Sequence, residues 1–353
     1  MKTNILTAVL AALLLLSVPT TAQAQFNFTT NNGAITITKY TGLGGGVIIP
    51  STTNGYPVTS IAGGAFQSCM GVTSVTIPDS VTNLGGAAFQ LCWSLTSVII
   101  GTNVTAIGAG MFYDCFNLTS VTMGNNITSF GQGAFYSCTS LTNITIGTSV
   151  TNIGEGAFEA CSSLSSVTLP NTLRTIQADT FEDCTSLTNV TIGNGVTSIG
   201  DGAFFSCGLT SVTIPASVTN IGSEAFGYMA SLRSVYFKGN APSPDGIQFF
   251  DSNNSTVYYL PGTTGWGFTF GERLAVLWNP KIQISNSFRV PSIQFGFNIS
   301  GTARIPILVE ACSNLHSAKW TPLQTCTLTN GSIYFSDPQW TNYPARFYRL
   351  RSP

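Results

Sequence analysis

The feature that most constrains this chain is a phenylalanine that returns every 23 residues. The spacing holds from Phe66 to Phe204, and one further copy, Phe226, follows after 22 residues. Three positions after each phenylalanine stands a sulfur-containing residue: Cys69, Cys92, Cys115, Cys138, Cys161, Cys184, Cys207 and Met229. A period of about 20 to 50 residues is typical of repeat architectures. We therefore expect stacked copies of one structural unit.

Each copy also alternates apolar and polar residues. In the fourth copy Leu141, Ile144 and Ile146 belong to this pattern, which predicts a short strand with one buried face. A residue that ends a strand follows in seven copies: Pro78, Gly101, Gly124, Gly147, Pro170, Gly193 and Pro215. Because one unit cannot bury its own apolar face, parallel stacking of the copies into a solenoid is expected.

The unit L-T-x-V-x-I-P/G-x-x-V-T-x-I-G-x-x-A-F-x-x-C resembles the 23-residue leucine-rich repeat of BspA-like proteins. Residues 47–50 and 55–61 resemble the amino-terminal cap and first repeat of that family. The resemblance implies a secreted or cell-surface protein, often bacterial, that binds proteins or cell surfaces and has no family catalytic residues. Departures from the repeat are Gln177 for Gly, Arg174 for Thr, and a repeat one residue short before Leu209.

The amino terminus has the pattern of an export signal. Lys2 precedes an apolar run over residues 5–18, and Ala22-Gln23-Ala24 forms a small-x-small cleavage site. The run is too short to span a bilayer, and no later segment is long and apolar enough to do so. We expect residues 1–24 to be a signal peptide and the protein to be secreted or on the cell surface.

Two parts of the remaining chain differ in the sign of their net charge. Residues 61–237 carry nine acidic and two basic residues, whereas five acidic and nine basic residues follow from 238 onward. Different modules are therefore expected. The predicted fold is a leucine-rich repeat solenoid with short parallel β-strands, followed by a small C-terminal antiparallel β-sandwich-like module. The predicted boundaries are 25–60 for the amino cap and first partial repeat, 61–238 for the solenoid, 239–280 for the C-terminal cap and linker, and 281–353 for the β-rich module.

The repeated cysteines predict buried thiols in a narrow core, with an occasional disulfide as the alternative. A metal site is disfavoured because zinc ligands must converge from different directions, and the chain has no Cys-x2-Cys pair. Cys312 and Cys326 lie outside the repeats, 14 positions apart. They are either a disulfide of the C-terminal module or two buried thiols.

Catalytic chemistry has little support in the sequence. The single histidine, His316, lies in a polar loop segment, and Asp179, Glu182 and Asp183 are interpreted as a solvated acidic patch. No phosphate loop or nucleophile elbow is present. We expect no enzyme activity, no cofactor and no metal. A net charge of −1 also argues against nucleic acid, whose phosphates require a basic surface.

The outward positions of the predicted strands offer the best candidate for a binding surface. One column of them is interpreted as ligand-binding: Thr76, Ile99, Thr122, Thr145, Thr168, Thr191, Thr213 and Tyr236. It would recognise protein or polysaccharide on a concave strand face, with Ile99 and Tyr236 as apolar contacts. The alternatives are a structural envelope protein whose threonines only stack as ladders and, as a remote third, ice binding. Arg346, Arg349 and Arg351 near the carboxyl terminus are interpreted as a solvated strand end. The alternative is pairing with an acidic partner or association with the cell envelope through that module.

Overall fold

The computed structural model describes residues 25–244, 250, 254–283, 295–316 and 319–351. The predicted signal peptide, residues 1–24, lies outside the described residues. The chain divides into two compact units, Met1–Leu187 (unit 1) and Thr188–Pro353 (unit 2). Each unit is described by itself below.

The strands of unit 1 are short, because each copy of the repeat contributes only a few extended residues before its proline or glycine. They are β1 (Phe26–Asn31), β2 (Ala34–Tyr40), β3 (Gly45–Ile48), β4 (Thr52–Thr53), β5 (Tyr56–Ile61), β6 (Val72–Thr76), β7 (Asn83–Leu84), β8 (Ser97–Ile99), β9 (Ala106–Ile107), β10 (Ser120–Thr122), β11 (Ser129–Phe130), β12 (Asn152–Ile153), β13 (Ser166–Thr168) and β14 (Thr175–Ile176).

Unit 2 continues with repeat strands and ends in longer strands that do not follow the repeat. They are β15 (Asn189–Thr191), β16 (Ser198–Ile199), β17 (Ser211–Ile214), β18 (Asn220–Ile221), β19 (Ser234–Phe237), β20 (Ser243–Pro244), β21 (Thr256–Tyr259), β22 (Thr269–Phe270), β23 (Arg273–Leu277), β24 (Lys281–Gln283), β25 (Phe295–Ser300), β26 (Pro306–Cys312), β27 (Thr321–Thr327), β28 (Ser332–Asp337) and β29 (Phe347–Arg351). A 3-10 turn, Trp340–Asn342, precedes β29.

In unit 1 the repeats stack through two parallel ladders. β3, β6, β8 and β10 pair in register and form the strand face, while β9, β11 and β12 pair on the adjacent side. The amino cap is a sheet in which β1 and β2 are antiparallel and β2 pairs with β5 in parallel. Backbone hydrogen bonds therefore connect each repeat to the next, as expected for a solenoid.

Unit 2 joins a parallel ladder to an antiparallel module. β17, β19, β21 and β23 pair in parallel, so the segment predicted as a C-terminal cap adds two further rungs. Beyond it, β24, β25 and β28 form one antiparallel sheet and β27, β26 and β29 another. The predicted fold, a leucine-rich repeat solenoid followed by a small antiparallel β-sandwich-like module, is confirmed.

The recurring phenylalanines form a stack in the core of unit 1. From Phe66 to Phe181 the ring centroids of successive repeats lie 4.8 to 5.6 Å apart. Five thiols beside this stack donate to a backbone carbonyl of the preceding repeat, as Cys115 Sγ does to Phe89 O at 3.1 Å; they are those of Cys92, Cys115, Cys138, Cys161 and Cys184. Burial raises the pKa of the Cys92 thiol to about 12. Burial therefore favours the protonated form of this thiol.

Cys312 and Cys326 do not form the disulfide that the sequence allowed. Both are free and buried. The β26–β27 register places Cys326 opposite Ile307, at the other end of β26 from Cys312. Five residues of extended strand separate the two positions by about 17 Å, whereas the Cα atoms of a disulfide lie within about 7 Å of each other. The alternative of two buried thiols fits this geometry.

Candidate binding surface on the strand face

The strand face of unit 1 presents a registered row of side chains. The parallel register aligns Ile48 with Thr76, Thr76 with Ile99, and Ile99 with Thr122. Ile48 and Ile99 are 76% and 51% exposed, which places two apolar contacts on an otherwise hydroxyl-rich surface. Ile99 was predicted to be available there. Ile48 was missed because its segment resembled a cap, although β-strand alternation around Val47 signals its outward direction.

Several threonines outside the predicted column donate their hydroxyls to the backbone. Thr96 and Thr119 each donate to the carbonyl of the preceding repeat, at 2.9 and 3.0 Å. In the adjacent ladder Thr128 donates in the same way to Thr105 O at 3.0 Å. Within the described part of unit 1, the hydroxyls of Thr76, Thr122, Thr145 and Thr168 have no protein partner. These predicted site residues are therefore open to hydrogen bonds from outside the molecule.

The parallel ladder of the strand face opens in unit 1 after β10. Residues 142–146 form no strand and make one parallel bridge, from Asn143 to Ser166. A Cβ built on Gly124 would lie 2.8 Å from Thr102 Cα, whereas one built on Gly147 would lie 3.9 Å from Asn125 O. The backbones are therefore less crowded at the opening than one repeat earlier.

This opening is a cleft of about 310 Å³, named here the unit 1 cleft. It lies between two of the predicted threonines, Thr122 and Thr145. Its walls are Ser120, Val121, Thr122, Met123, Gly124, Asn125, Ile127, Phe130, Asn143, Thr145 and Gly147. These residues include no charged side chain. The cleft offers hydroxyl and amide groups above an apolar floor.

A larger core residue, Phe130, lies in the same part of the stack as the unit 1 cleft. Phe130 occupies a position that is Leu84, Ile107, Ile153 or Ile176 in the other repeats of unit 1. Its ring is fully buried and lies 6.1 Å from that of Phe135 and 5.6 Å from that of Phe158. Extra core volume forces backbone shifts in a close-packed interior. We therefore attribute the opening to Phe130.

A second opening lies on the repeat strands of unit 2, between β15 and β17, and is named here the unit 2 cleft. Its volume is also about 310 Å³. The walls are Asn189, Val190, Thr191, Ile192, Asn194, Ser211, Val212, Thr213, Pro215, Lys238 and Arg351. At this level the connection from Cys207 to Leu209 is one residue shorter than the same connection in the preceding repeats. Thr191 and Thr213, both predicted site residues, face each other across it.

Tyr236, the last predicted contact, does not reach the surface. It is 4% exposed and stacks on Tyr258, with ring centroids 5.1 Å apart. Both rings belong to a buried cluster with Trp278, which precedes the C-terminal module, and with Phe297 and Ile307 from that module. The prediction of Tyr236 as a ligand contact is therefore wrong, because the antiparallel module covers this end of the strand face in unit 2.

The carboxyl-terminal arginines divide into paired and exposed groups. Arg346 Nε lies 2.7 Å from Asp337 Oδ2, and the side chains are only 9% and 4% exposed. Arg349 lies 2.6 Å from the buried carboxylate of Glu310. Arg351 is 3.7 Å from the same carboxylate and remains 55% exposed. Of the three, Arg351 retains the most solvent-facing positive charge.

An acidic cluster lies elsewhere in unit 1. Partial burial, reinforced by the negative charges of Asp179, Glu159 and Asp183, raises the pKa of Glu182 to about 7. Partial burial and Asp179 also raise the pKa of Glu159. Across the described residues, no group of three or more His, Cys, Asp or Glu side chains is arranged to hold a metal ion. His316 lies in a loop, where its backbone amide donates to Asn314 Oδ1 at 2.8 Å.

Sequence reasoning also missed two other features of the structure. Lys238 and Arg351 line one cleft although 113 positions of sequence separate them, and only the folding of the C-terminal module brings them together. Tyr113 and Tyr136 form a parallel stacked pair with centroids 4.4 Å apart, a consequence of their 23-residue spacing. No helix long and apolar enough to cross a membrane occurs in the ranges given above for the structure.

Comparison with solved structures supports the fold. The chain is similar to the crystal structure of a leucine-rich repeat protein from T. pallidum, with 32% identity and a TM-score of 0.50, covering 52% of this chain and 87% of that one. It is also similar to a leucine-rich repeat protein from Bacteroides ovatus, with 26% identity and a TM-score of 0.51, covering 71% of this chain and 74% of that one. The search of curated proteins gave no match.

A family model matches the repeats directly. The BspA type leucine-rich repeat region matches in six copies over residues 48–165 and 151–264, which is more than half of the chain. These ranges contain the phenylalanine stack, the unit 1 cleft and the lining residues of the unit 2 cleft other than Arg351. The repeat unit, the parallel ladders and the family match agree, and the chain belongs to the BspA-type leucine-rich repeat family.

Proposed function

We propose that this protein is an exported, non-enzymatic binding scaffold that recognises protein or polysaccharide on its Ser/Thr-rich strand face. Repeat proteins of this family have binding or scaffold roles. The signal-peptide pattern of residues 1–24 supports secretion or display on the cell surface. Attachment to the envelope through the residues after 281 is part of this proposal.

The observation that carries the proposal is the contrast in threonine hydroxyls. Several threonines of the same repeats donate to backbone carbonyls, as Thr119 does to Thr96 O, whereas the hydroxyls of Thr122 and Thr145 beside the unit 1 cleft have no partner among the described residues of unit 1. Open hydroxyls around a concave opening are suited to the polar groups of a ligand.

A glycan and matrix-protein array probed with the full-length chain tests the proposal. We expect binding in the micromolar range and its loss, by at least about tenfold, in the double variant Thr122→Lys/Thr145→Lys, because long cationic side chains would fill the unit 1 cleft. Thr105→Lys is the matched control, since Thr105 is exposed on the adjacent ladder. No binding to any array member, or equal loss in the control, would contradict the proposal and favour a structural envelope protein.

A further inference from the structure

We propose that the unit 2 cleft binds an anionic group, the carboxylate or sulfate of an acidic polysaccharide. This deepens the proposed function, on which it rests, by naming a ligand class for one part of the strand face. Two cationic side chains, Lys238 and Arg351, line the cleft, and none of its lining residues in the described part of the chain is acidic. Two cationic side chains on one cleft, with no carboxylate among its described lining residues, favour an anionic ligand.

The C-terminal module positions one of these cations. Arg351 is the last residue of β29, which pairs with β26 so that Arg351 lies opposite Leu308 and Arg349 opposite Glu310. The buried carboxylate of Glu310 is 2.6 Å from Arg349 and 3.7 Å from Arg351. Arg349 is the closer partner, and the more exposed Arg351 guanidinium is only partly neutralised. Glu310 thus orients Arg351 and leaves donors for a ligand.

The other cation is fixed by the repeat ladder. Lys238 follows β19 directly, and its backbone amide donates to Ile214 O at 3.0 Å, which continues the parallel ladder by one residue. Its side chain is exposed, and no ion pair to it occurs among the described residues. The backbone of Lys238 is therefore rigidly placed, while its ammonium group remains available at the rim of the cleft.

The remaining walls favour a sugar over a protein as the bearer of the anion. Thr191, Thr213, Asn189 and Ser211 supply hydroxyl and amide groups of the kind that pair with sugar hydroxyls. Protein interfaces place aromatic and other large anchors in such pockets. No aromatic residue lines the unit 2 cleft within the described chain. Its volume of about 310 Å³ is at the small end of ligand sites and suits one charged sugar unit of a longer chain.

Binding of the full-length chain to matched polymers tests this inference. The probes are polygalacturonate with its methyl ester, and dextran sulfate with dextran, so that each pair differs only in charge. We expect the charged member of at least one pair to bind about tenfold more tightly, and its affinity to fall with added salt. A preference confined to one pair identifies the carboxylate or the sulfate as the group recognised.

The variant Lys238→Gln/Arg351→Gln should remove this preference. Lys281→Gln/Lys319→Gln is the matched control, because it removes the same charge from exposed positions of unit 2. Equal affinity for charged and neutral polymers, equal loss in the control, or binding of polyglutamate but neither acidic polysaccharide would overturn the inference. Retained binding of neutral ligands, still lost in Thr122→Lys/Thr145→Lys, would leave the proposed function standing. If the chain bound no polymer and no array protein, both this inference and the proposed function would be contradicted.

Discussion

The two clefts are built from the same repeat columns and differ in what surrounds them. Each has a volume of about 310 Å³ and is walled by Ser, Thr and Asn side chains at strand ends. The unit 1 cleft opens beside a bulky core residue, Phe130, and is uncharged. The unit 2 cleft opens beside a shortened connection and carries Lys238 and Arg351. Each cleft thus lies at a small departure from the regular repeat, and the C-terminal module adds one of the two cations of the unit 2 cleft.

The largest expected effect is on stability, and it comes from the spacing between the backbones of neighbouring repeats. Gly124→Ala should lower the free energy of unfolding by about 1 to 3 kcal/mol, because its Cβ would lie 2.8 Å from Thr102 Cα in a closed part of the ladder. Gly147→Ala should be neutral or slightly stabilising, since its Cβ would lie 3.9 Å from Asn125 O. Urea denaturation of the two variants measures the difference. Equal destabilisation would show that the ladder is not open at Gly147.

The next effect tests the cause of the opening. Phe130→Ile restores the residue type of the neighbouring repeats, so residues 120–122 and 143–145 should approach and pair. We expect amide hydrogen exchange at Asn143 and Thr145 to slow by about tenfold. Ligand binding at the unit 1 cleft should weaken, with the unit 2 cleft unaffected.

Ile107→Val is the control for that measurement, since it changes the same core column one repeat earlier. Exchange at residues 143–145 should not slow in this variant. If Phe130→Ile leaves their exchange unchanged as well, the attribution of the opening to Phe130 is wrong.

The smallest effect concerns charge in unit 1, where the acidic cluster contrasts with the basic cleft of unit 2. The pKa of Glu182 is about 7 in the folded state, above the ordinary value of about 4.3 for an unfolded chain. Between these values the folded state binds more protons, so stability falls as pH rises through this window. Because Glu182 is only partly buried and solvent screens its charge, we expect a loss of less than about 1 kcal/mol from pH 5 to pH 8.

Urea denaturation at these two pH values checks the effect. Glu182→Gln should flatten the dependence on pH, whereas Glu272→Gln, in unit 2, serves as the control with the same change of charge. A steeper loss of stability toward low pH in the native chain would contradict the raised pKa of Glu182.

Most of the fold could be predicted from the sequence because the repeat encodes it locally. The phenylalanine and cysteine columns predicted the core, and the alternation around residues such as Val75 and Val98 predicted the buried faces of β6 and β8. Ile99 was likewise predicted to be exposed, because the direction of a side chain follows from its place in the strand. For Cys312 and Cys326 the sequence left a disulfide and two buried thiols open, because sequence spacing carries no information about strand register in a nonrepeating module.

The binding surface was predicted less completely. The threonine column was placed from its period, but a period cannot indicate where a ladder opens, and we attribute the opening in unit 1 to the volume of a single residue, Phe130. Tyr236 was misplaced for a related reason. Its position in the repeat points outward, yet the C-terminal module buries it beside Tyr258.

The sequence by itself determined the stacked architecture, its phenylalanine core and the side on which its hydroxyls lie, because each repeat contacts chiefly its neighbours and its 23-residue spacing places equivalent side chains in line. Only the tertiary structure decided where the strand face opens, which hydroxyls remain unsatisfied, and that Lys238 and Arg351 share one cleft. Those properties arise from packing between distant segments, where small differences in volume and register accumulate and no local pattern records the result.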